Sequence, residues 1–298
     1  MKYFCSLILF IFCLFVFVSC KSVDNVLLNN PSSSGIYFET AILPVKGVVV
    51  LAHGLNTKPS MMGDDKTDGT FAKLFLDAGY HVYRITLPGH SGTIEEMKNV
   101  KSQDWHNSAY SQYCEAAEIS LANNIPIYLA AFSLGALVYE NLMNKEKDVV
   151  FNGAILLAPA IAIKKTSRNA VLAANIFASN SKIIKSKAPA EYRAQNGVSV
   201  SAYKALFELE DDLHKNEFAN CNIPTLIFID PKDELINNKK LQKHITNFKL
   251  TNWNIITVSN KGTEIKPKYH HLIIDNRSLP PAAWDTMSKN ILEFLREL

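Results

Sequence analysis

Apolar residues along the chain group into two alternating patterns. Short near-continuous runs, rich in β-branched residues, occur at "GVVVLAHG" (47–54), "HVYRITLPGH" (81–90), "IPIYLAA" (125–131), "FNGAILLAPA" (151–160), "IPTLIFID" (223–230) and "NWNIITVS" (252–259). The first, a continuous β-branched run, predicts a strand buried on both faces, and the others predict further strands. Between them the apolar spacing becomes helical. Phe71, Leu74 and Phe75 fall on one face, with Gly79 where a helix should stop. Further helices are predicted over 103–123, from Leu134 onward, and over the amphipathic C-terminal 282–298. Alternating strands and helices of this kind predict an α/β fold with a mostly parallel central sheet covered by helices on both sides. An additional strand or hairpin is predicted at "IYFETAILPV" (36–45).

The alternation lapses between Ile161 and Asn220, where helical patches and polar stretches appear without a strong strand. This reads as a helical cap insertion over one end of the sheet rather than a second core. Ile161, Ile163, Val171, Leu172, Ile176 and Phe177 within it would line an apolar acyl slot or bury against the sheet. The division expected from sequence is therefore a leader at 1–19, a tether at 20–40, a first part of the core at 41–160, the insertion at 161–220 and a second part of the core at 221–298.

The leader has one lysine, Lys2, then an uncharged apolar run from Tyr3 to Val18, then Ser19, Cys20 and Lys21. That order is the one of a secretory signal, and the run is short for a membrane span. A cysteine directly after a small residue resembles a bacterial lipoprotein signal, although Phe17 stands where leucine is commonest. The resemblance implies lipidation at Cys20, and "KSVDNVLLNNPSSSG" (21–35) suits a flexible tether to a membrane surface of the cell envelope. A plainly cleaved signal and an uncleaved anchor are the alternatives.

Charge changes the picture little. The 298 residues carry 31 basic and 28 acidic side chains, a formal +3, with no basic stripe of the kind nucleic-acid binding requires. Outside the leader only Cys114 and Cys221 remain of five cysteines, read as two separate buried thiols. With no CxxC pair and no His/Cys cluster at zinc spacing, neither a metal nor a cofactor is expected.

Candidate chemistry lies just after the predicted strands, where ligands bind in open parallel sheets. Ser133, in "AAFSLGA", has Ala131 and Gly135 two positions either side, at a strand-to-helix turn related to G-x-S-x-G. A serine hydroxyl needs a base, and the base an orienting carboxylate. Asp233 in "IDPKDELI" is the favoured acid and Asp230, better suited to holding its own turn, the alternative. The histidine comes from "KYHHLIID", where two adjacent imidazoles cannot both face the serine. Backbone amides of Leu55, in "LAHGL", and Leu134 would form an oxyanion hole. His53 and His90 are expected to brace their loops.

Six motifs, "LAHGL", "LPGHSGT", "AFSLGA", "LLAPA", "IDPKDELI" and "YHHLIID", stand in the order found in α/β-hydrolases. Over residues 47–298 the chain resembles the lysophospholipase, monoacylglycerol lipase and carboxylesterase branch of that fold. The resemblance to an H-x-x-x-x-[DE] ending selects His270, five before Asp275, with His271 the alternative. It implies a Ser133–His270–Asp233 triad that hydrolyses small-molecule or lipid carboxylic esters, with no cofactor. A peptidase of the same fold and a non-catalytic surface binding lipoprotein are the competing readings.

Overall fold

The computed structural model describes residues 35–176, 182–215, 221–263 and 269–298. The leader, Cys20 and Phe177 lie outside them. Every predicted central strand is present: β1 (Ile36–Phe38), β2 (Val48–Ala52), β3 (His81–Arg84), β4 (Ile127–Phe132), β5 (Gly153–Leu157), β8 (Thr225–Ile229) and β9 (Trp253–Thr257), with β6 (Ile183–Lys185) and β7 (Gly197–Ser199) forming a separate two-stranded sheet. Helices are α1 (Phe71–Asp77), α2 (Ile94–Asn99), α3 (Ser102–Asn123), α4 (Leu134–Lys145), α5 (Lys165–Ile176), α6 (Val200–Lys215), α7 (Asn238–Asn247) and α8 (Pro281–Glu297).

The main sheet has seven strands in the order β1-β3-β2-β4-β5-β8-β9. All neighbours are parallel except β1, which pairs antiparallel with β3 at the edge. β1 is a single three-residue strand, so no hairpin forms at 36–45. The apolar strands serve two cores by simple alternation. Val48, Val50 and Ala52 of β2 face one with α3, α4 and α6, while Val49 and Leu51 face the other with α1 and α8. A strand with both faces buried has no polar positions to alternate with, which is why the sequence shows runs.

Chain direction reverses at β2. The chain steps outward from β2 to β3, then returns to place β4 on the other side of β2. Loops after β2 and β4 therefore open toward each other at the carboxyl ends, the place where such sheets form a crevice.

Residues 161–220 do contain α5 and α6, but the β6–β7 pair between them departs from the strandless expectation. Each of these strands has three residues, too few to leave a periodic signal. The segment is fastened to the loops at the carboxyl ends. The Asn56 side chain exchanges hydrogen bonds with the Gln195 amide (2.8 Å) and carbonyl (3.0 Å), Lys58 N–H donates to Tyr192 O (2.9 Å), and Gln195 Nε2 donates to Gly92 O (2.6 Å). Ile161, Ile163 and Val171 are buried in the core, as their second reading expected, whereas Leu172 is exposed. Cys221 is a free buried thiol, as expected, whereas Cys114 is disulfide-bonded and so is not the second free thiol that the sequence predicts.

Candidate active site

Ser133 occupies the single residue between β4 and α4, and its backbone is at φ 49°, ψ −108°. A non-glycine residue there is strained, and the strain persists because the surroundings over-determine it. Ser133 N–H donates to Leu157 O (2.9 Å), while Ser133 O accepts from Leu137 N–H (3.2 Å) and Ala160 N–H (3.1 Å). Gly135 is required by close approach: a Cβ there would lie 2.8 Å from Ala52 O and from His53 O. The small residue at Ala131 is likewise fully buried, in the strand pair with Ala52.

The structure brings Ser133 to His271, not His270. Ser133 Oγ–H donates to His271 Nε2 at 2.8 Å, and His271 Nδ1–H donates to Asp233 Oδ2 at 2.8 Å. His271 also packs its ring 5.1 Å from that of Phe132. His270 turns to the other carboxylate, its Nδ1 lying 3.1 Å from Asp230 Oδ2. The expectation of His270 is therefore corrected. Asp275, used to set the register, is occupied instead with the turn into α8: it accepts the Ser278 amide (2.7 Å) and the Tyr192 hydroxyl (2.9 and 3.0 Å). It carries no information about which imidazole faces the serine.

Each acid has a distinct duty. Asp233 follows β8 in a tight turn, and its Oδ1 accepts the Leu235 (2.7 Å) and Ile236 (2.8 Å) amides. Burial would raise this carboxyl, but the His271 charge and hydrogen bond, with the two amides, hold it below its ordinary value. An ionised carboxylate only accepts, so His271 keeps its proton on Nδ1 and presents a lone pair at Nε2 to the serine. Asp230 holds the turn, as expected of it, by accepting Lys232 N–H (2.7 Å) and Asn260 N–H (3.0 Å).

Glu234 was not singled out by the sequence. Its two oxygens accept the backbone amides of His270 and His271, each at 3.0 Å. This carboxylate clamps the peptide of the histidine pair from the acid turn, so that each imidazole drops onto its own aspartate. The only sequence signal would have been its adjacency to Asp233, which no spacing rule selects.

The loop after β2 lies against Ser133, since a Cβ on Gly54 would stand 3.2 Å from Ser133 Cβ and 2.6 Å from the Phe132 ring. It carries Leu55, while Leu134 is the first residue of α4, whose amide has no intrahelical acceptor. His53 braces this loop: Nε2 accepts Leu87 N–H (3.0 Å) and Nδ1 donates to Gly54 O (3.0 Å). Both nitrogens are thereby committed in the neutral form, and burial holds its pKa well below the ordinary value, with neighbouring His90 adding to the effect. The His90 ring lies 4.6 Å from that of His53, and burial lowers its pKa to about 4.

Comparison with known proteins bears on the fold that carries this arrangement. The model of the serine aminopeptidase S33 family, Hydrolase_4, matches residues 44–189. Among solved structures, a metagenome-derived lipolytic enzyme from a study of LipS and LipT aligns at 20% identity over 90% of this chain and 99% of that one, with a TM-score of 0.66. A soluble variant of monoglyceride lipase from Saccharomyces cerevisiae, bound to a substrate analogue, aligns at 14% identity over 88% and 91%, TM-score 0.69. The monoacylglycerol lipase of Paleococcus ferrophilus aligns at 20% identity over 88% and 98%, TM-score 0.62. No curated protein matches the chain. At these identities the likeness is one of architecture, and with the strand order and the strand–Ser133–helix turn it establishes that the chain has the α/β-hydrolase fold.

Proposed function

We propose that the protein is a serine hydrolase of carboxylic esters, acting on acyl-lipid or lysophospholipid-type and smaller esters. Ser133 is the nucleophile, His271 the base and Asp233 the carboxylate that orients it. The carrying observation is the unbroken Ser133 Oγ–His271–Asp233 hydrogen-bond chain, 2.8 Å at each link. As Ser133 Oγ attacks the ester carbonyl carbon, its proton passes to His271 Nε2. The oxyanion that forms is held by the Leu55 and Leu134 amides. The imidazolium then protonates the leaving alcohol as its C–O bond breaks. Water attacks the acyl-serine, giving a proton to His271, and collapse releases the acid and returns the proton to Ser133.

These steps draw on side chains, backbone amides and water. The lipases among its structural neighbours support the ester reading. The description of the matched family favours a second one, aminopeptidase activity at the same serine. In either case the leader supports export and membrane tethering through Cys20.

Fluorophosphonate labelling of the full chain, set beside Ser133→Ala, tests the assignment. Labelling lost in the variant, with turnover of short- and long-chain p-nitrophenyl esters, is expected. Equal residual turnover in both proteins would overturn the role of Ser133. Faster cleavage of aminoacyl p-nitroanilides than of any ester would replace the ester reading with the peptidase one.

A further inference from the structure

Among the described residues seven large hydrophobic side chains are exposed, and five of them, Ile42, Leu43, Leu121, Val150 and Leu298, share one end of the molecule. Ile42 and Leu43 sit in the loop leading into the amino end of β2. Leu121 is in the last turn of α3, which feeds β4, and Val150 lies just before β5. Leu298 closes α8 against Gly153, the first residue of β5. All five thus surround the amino ends of the central strands. Scattered single exposures need no explanation, but a ring of them confined to one end does.

The most prominent is a tip of four consecutive exposed apolar residues, Ala41 to Pro44, in which Leu43 is 80% exposed. It is held outward from both sides. Thr40 Oγ1 donates to Leu76 O (2.7 Å) and accepts Ile42 N–H (3.1 Å), while Lys46 N–H donates to Gly79 O (2.9 Å). Beside it runs a groove of about 540 Å³ floored by Ala78, Tyr80 and Leu292 and rimmed by Lys46, Lys289 and Arg296, with Glu293 paired to Lys289 at 3.8 Å.

We propose that this end is a membrane-docking face: the Ala41–Pro44 tip enters the acyl boundary of an anionic bilayer, and the cationic rim meets the lipid headgroups. An apolar tip with lysine and arginine heads around it is the arrangement that suits this boundary. A ring of separate side chains around one end fits a plane better than it fits a peptide in a groove. The chain before Gly35 leaves β1 beside Arg84, at the carboxyl end of β3, yet the stretch from Cys20 to Ser34 spans up to roughly 50 Å when extended, more than the length of the five-residue strands it must pass for a tethered molecule to settle on this end. One consequence rests on the proposed function. Ser133 and His271 lie at the carboxyl ends of the strands, the opposite end of the sheet. Docked in this way, the catalytic mouth faces the aqueous phase, and its substrates are esters that arrive through water rather than lipids packed in the bilayer.

The three native tryptophans, Trp105, Trp253 and Trp284, are all buried, so an added indole reports its own surroundings. In the full chain carrying Leu43→Trp, reconstituted with vesicles of phosphatidylcholine and phosphatidylglycerol, the added emission should shift to the blue. It should lose most of its intensity when the acyl chains are brominated. Glu95→Trp, on the exposed face of α2 beyond the carboxyl end of β3, should keep its intensity. Emission from Leu43→Trp that is unchanged by brominated lipid overturns the proposal. So does equal quenching of both variants, which would describe an undirected tether. A blue shift that grows with protein concentration in the absence of vesicles would assign the face to a second copy of the chain and overturn it as well. Quenching does not depend on turnover, so failure of the hydrolase assignment would leave this result readable.

Discussion

Asp233→Asn should silence the enzyme without disturbing its fold, for a reason specific to how this carboxylate is held. Oδ1 accepts two backbone amides, from Leu235 and Ile236, and Oδ2 accepts His271 Nδ1–H. In an asparagine only one of these positions can be oxygen. Two N–H donors demand it at Oδ1, so the NH2 group is forced toward His271. The imidazole must then accept at Nδ1 and carry its proton on Nε2, where it can donate to Ser133 Oγ but cannot remove its proton. A wrong tautomer in an otherwise intact triad lowers kcat by about 10⁴-fold, or roughly 5 kcal/mol of transition-state stabilisation. The side chain keeps its volume and both amide bonds, so Tm should change little and KM should hold. Steady-state hydrolysis of a short p-nitrophenyl ester, with thermal melts of both proteins, reads the outcome. Turnover within tenfold of wild type, in a variant that melts normally, would refute Asp233 as the orienting carboxylate.

The adjacent histidines should separate sharply. His271→Ala should lose on the order of 10⁴-fold or more in kcat, whereas His270→Ala, which removes only the contact with Asp230, should stay within about tenfold; the same ester assay ranks them. Gly135→Ala should cost about 1–3 kcal/mol in denaturant unfolding together with most activity, since its Cβ can fit only by displacing Ala52 and His53 backbone. Glu140 is fully buried in α4 with neither carboxyl oxygen hydrogen-bonded, and burial raises its pKa to about 8. The unfolded chain then releases this proton first as pH rises from about 4.5 toward about 8, so stability falls across that window, by about 3 kcal/mol at pH 7. Glu140→Gln should flatten that slope in urea unfolding measured from pH 5 to 8, and an unchanged slope would show the carboxyl to be ionised in place. His90 acts in the opposite sense: with its pKa lowered to about 4, the unfolded chain takes up the proton first, and stability should fall as pH drops from about 6.5 toward 4.

Strands of the central sheet were legible because burial on both faces removes polar residues from them, leaving runs that stand out against the helical spacing between. β2, β4, β5 and β8 are buried at every position, and each was found close to its true extent. What escaped was structure whose cause lies elsewhere in the chain. The loop that joins β6 to β7 is fastened at Tyr192, Arg193 and Gln195 by Lys58, Thr57 and Asn56, partners far away in sequence that a local pattern does not encode. In "IYFETAILPV", where the sequence predicts a strand or hairpin, only Ile36–Phe38 form a strand, and Ala41 to Pro44 are exposed. Their exposure is a tertiary fact.

The site divides along the same line. Ser133 was found because its demands are local: a strand before, a helix after, and no room for a side chain at Gly135. Asp233 and Asp230 could be ranked because one lies at the strand end, committed to its own turn, and the other further into the loop. The histidine could not be ranked in this way, since Tyr269 to Asp275 lies outside any helix or strand that would fix which side chain points inward. The pair is held by Glu234, which accepts both amides at once while each ring reaches its own aspartate. If that grip selects His271, releasing it should blur the choice rather than abolish the chemistry. Glu234→Ala should therefore lower kcat by about 10-fold or less, far short of the loss from His271→Ala, with KM little altered. Its pH–rate profile should broaden relative to wild type, and a loss as deep as that of His271→Ala would instead mean that Glu234 takes part in proton transfer itself.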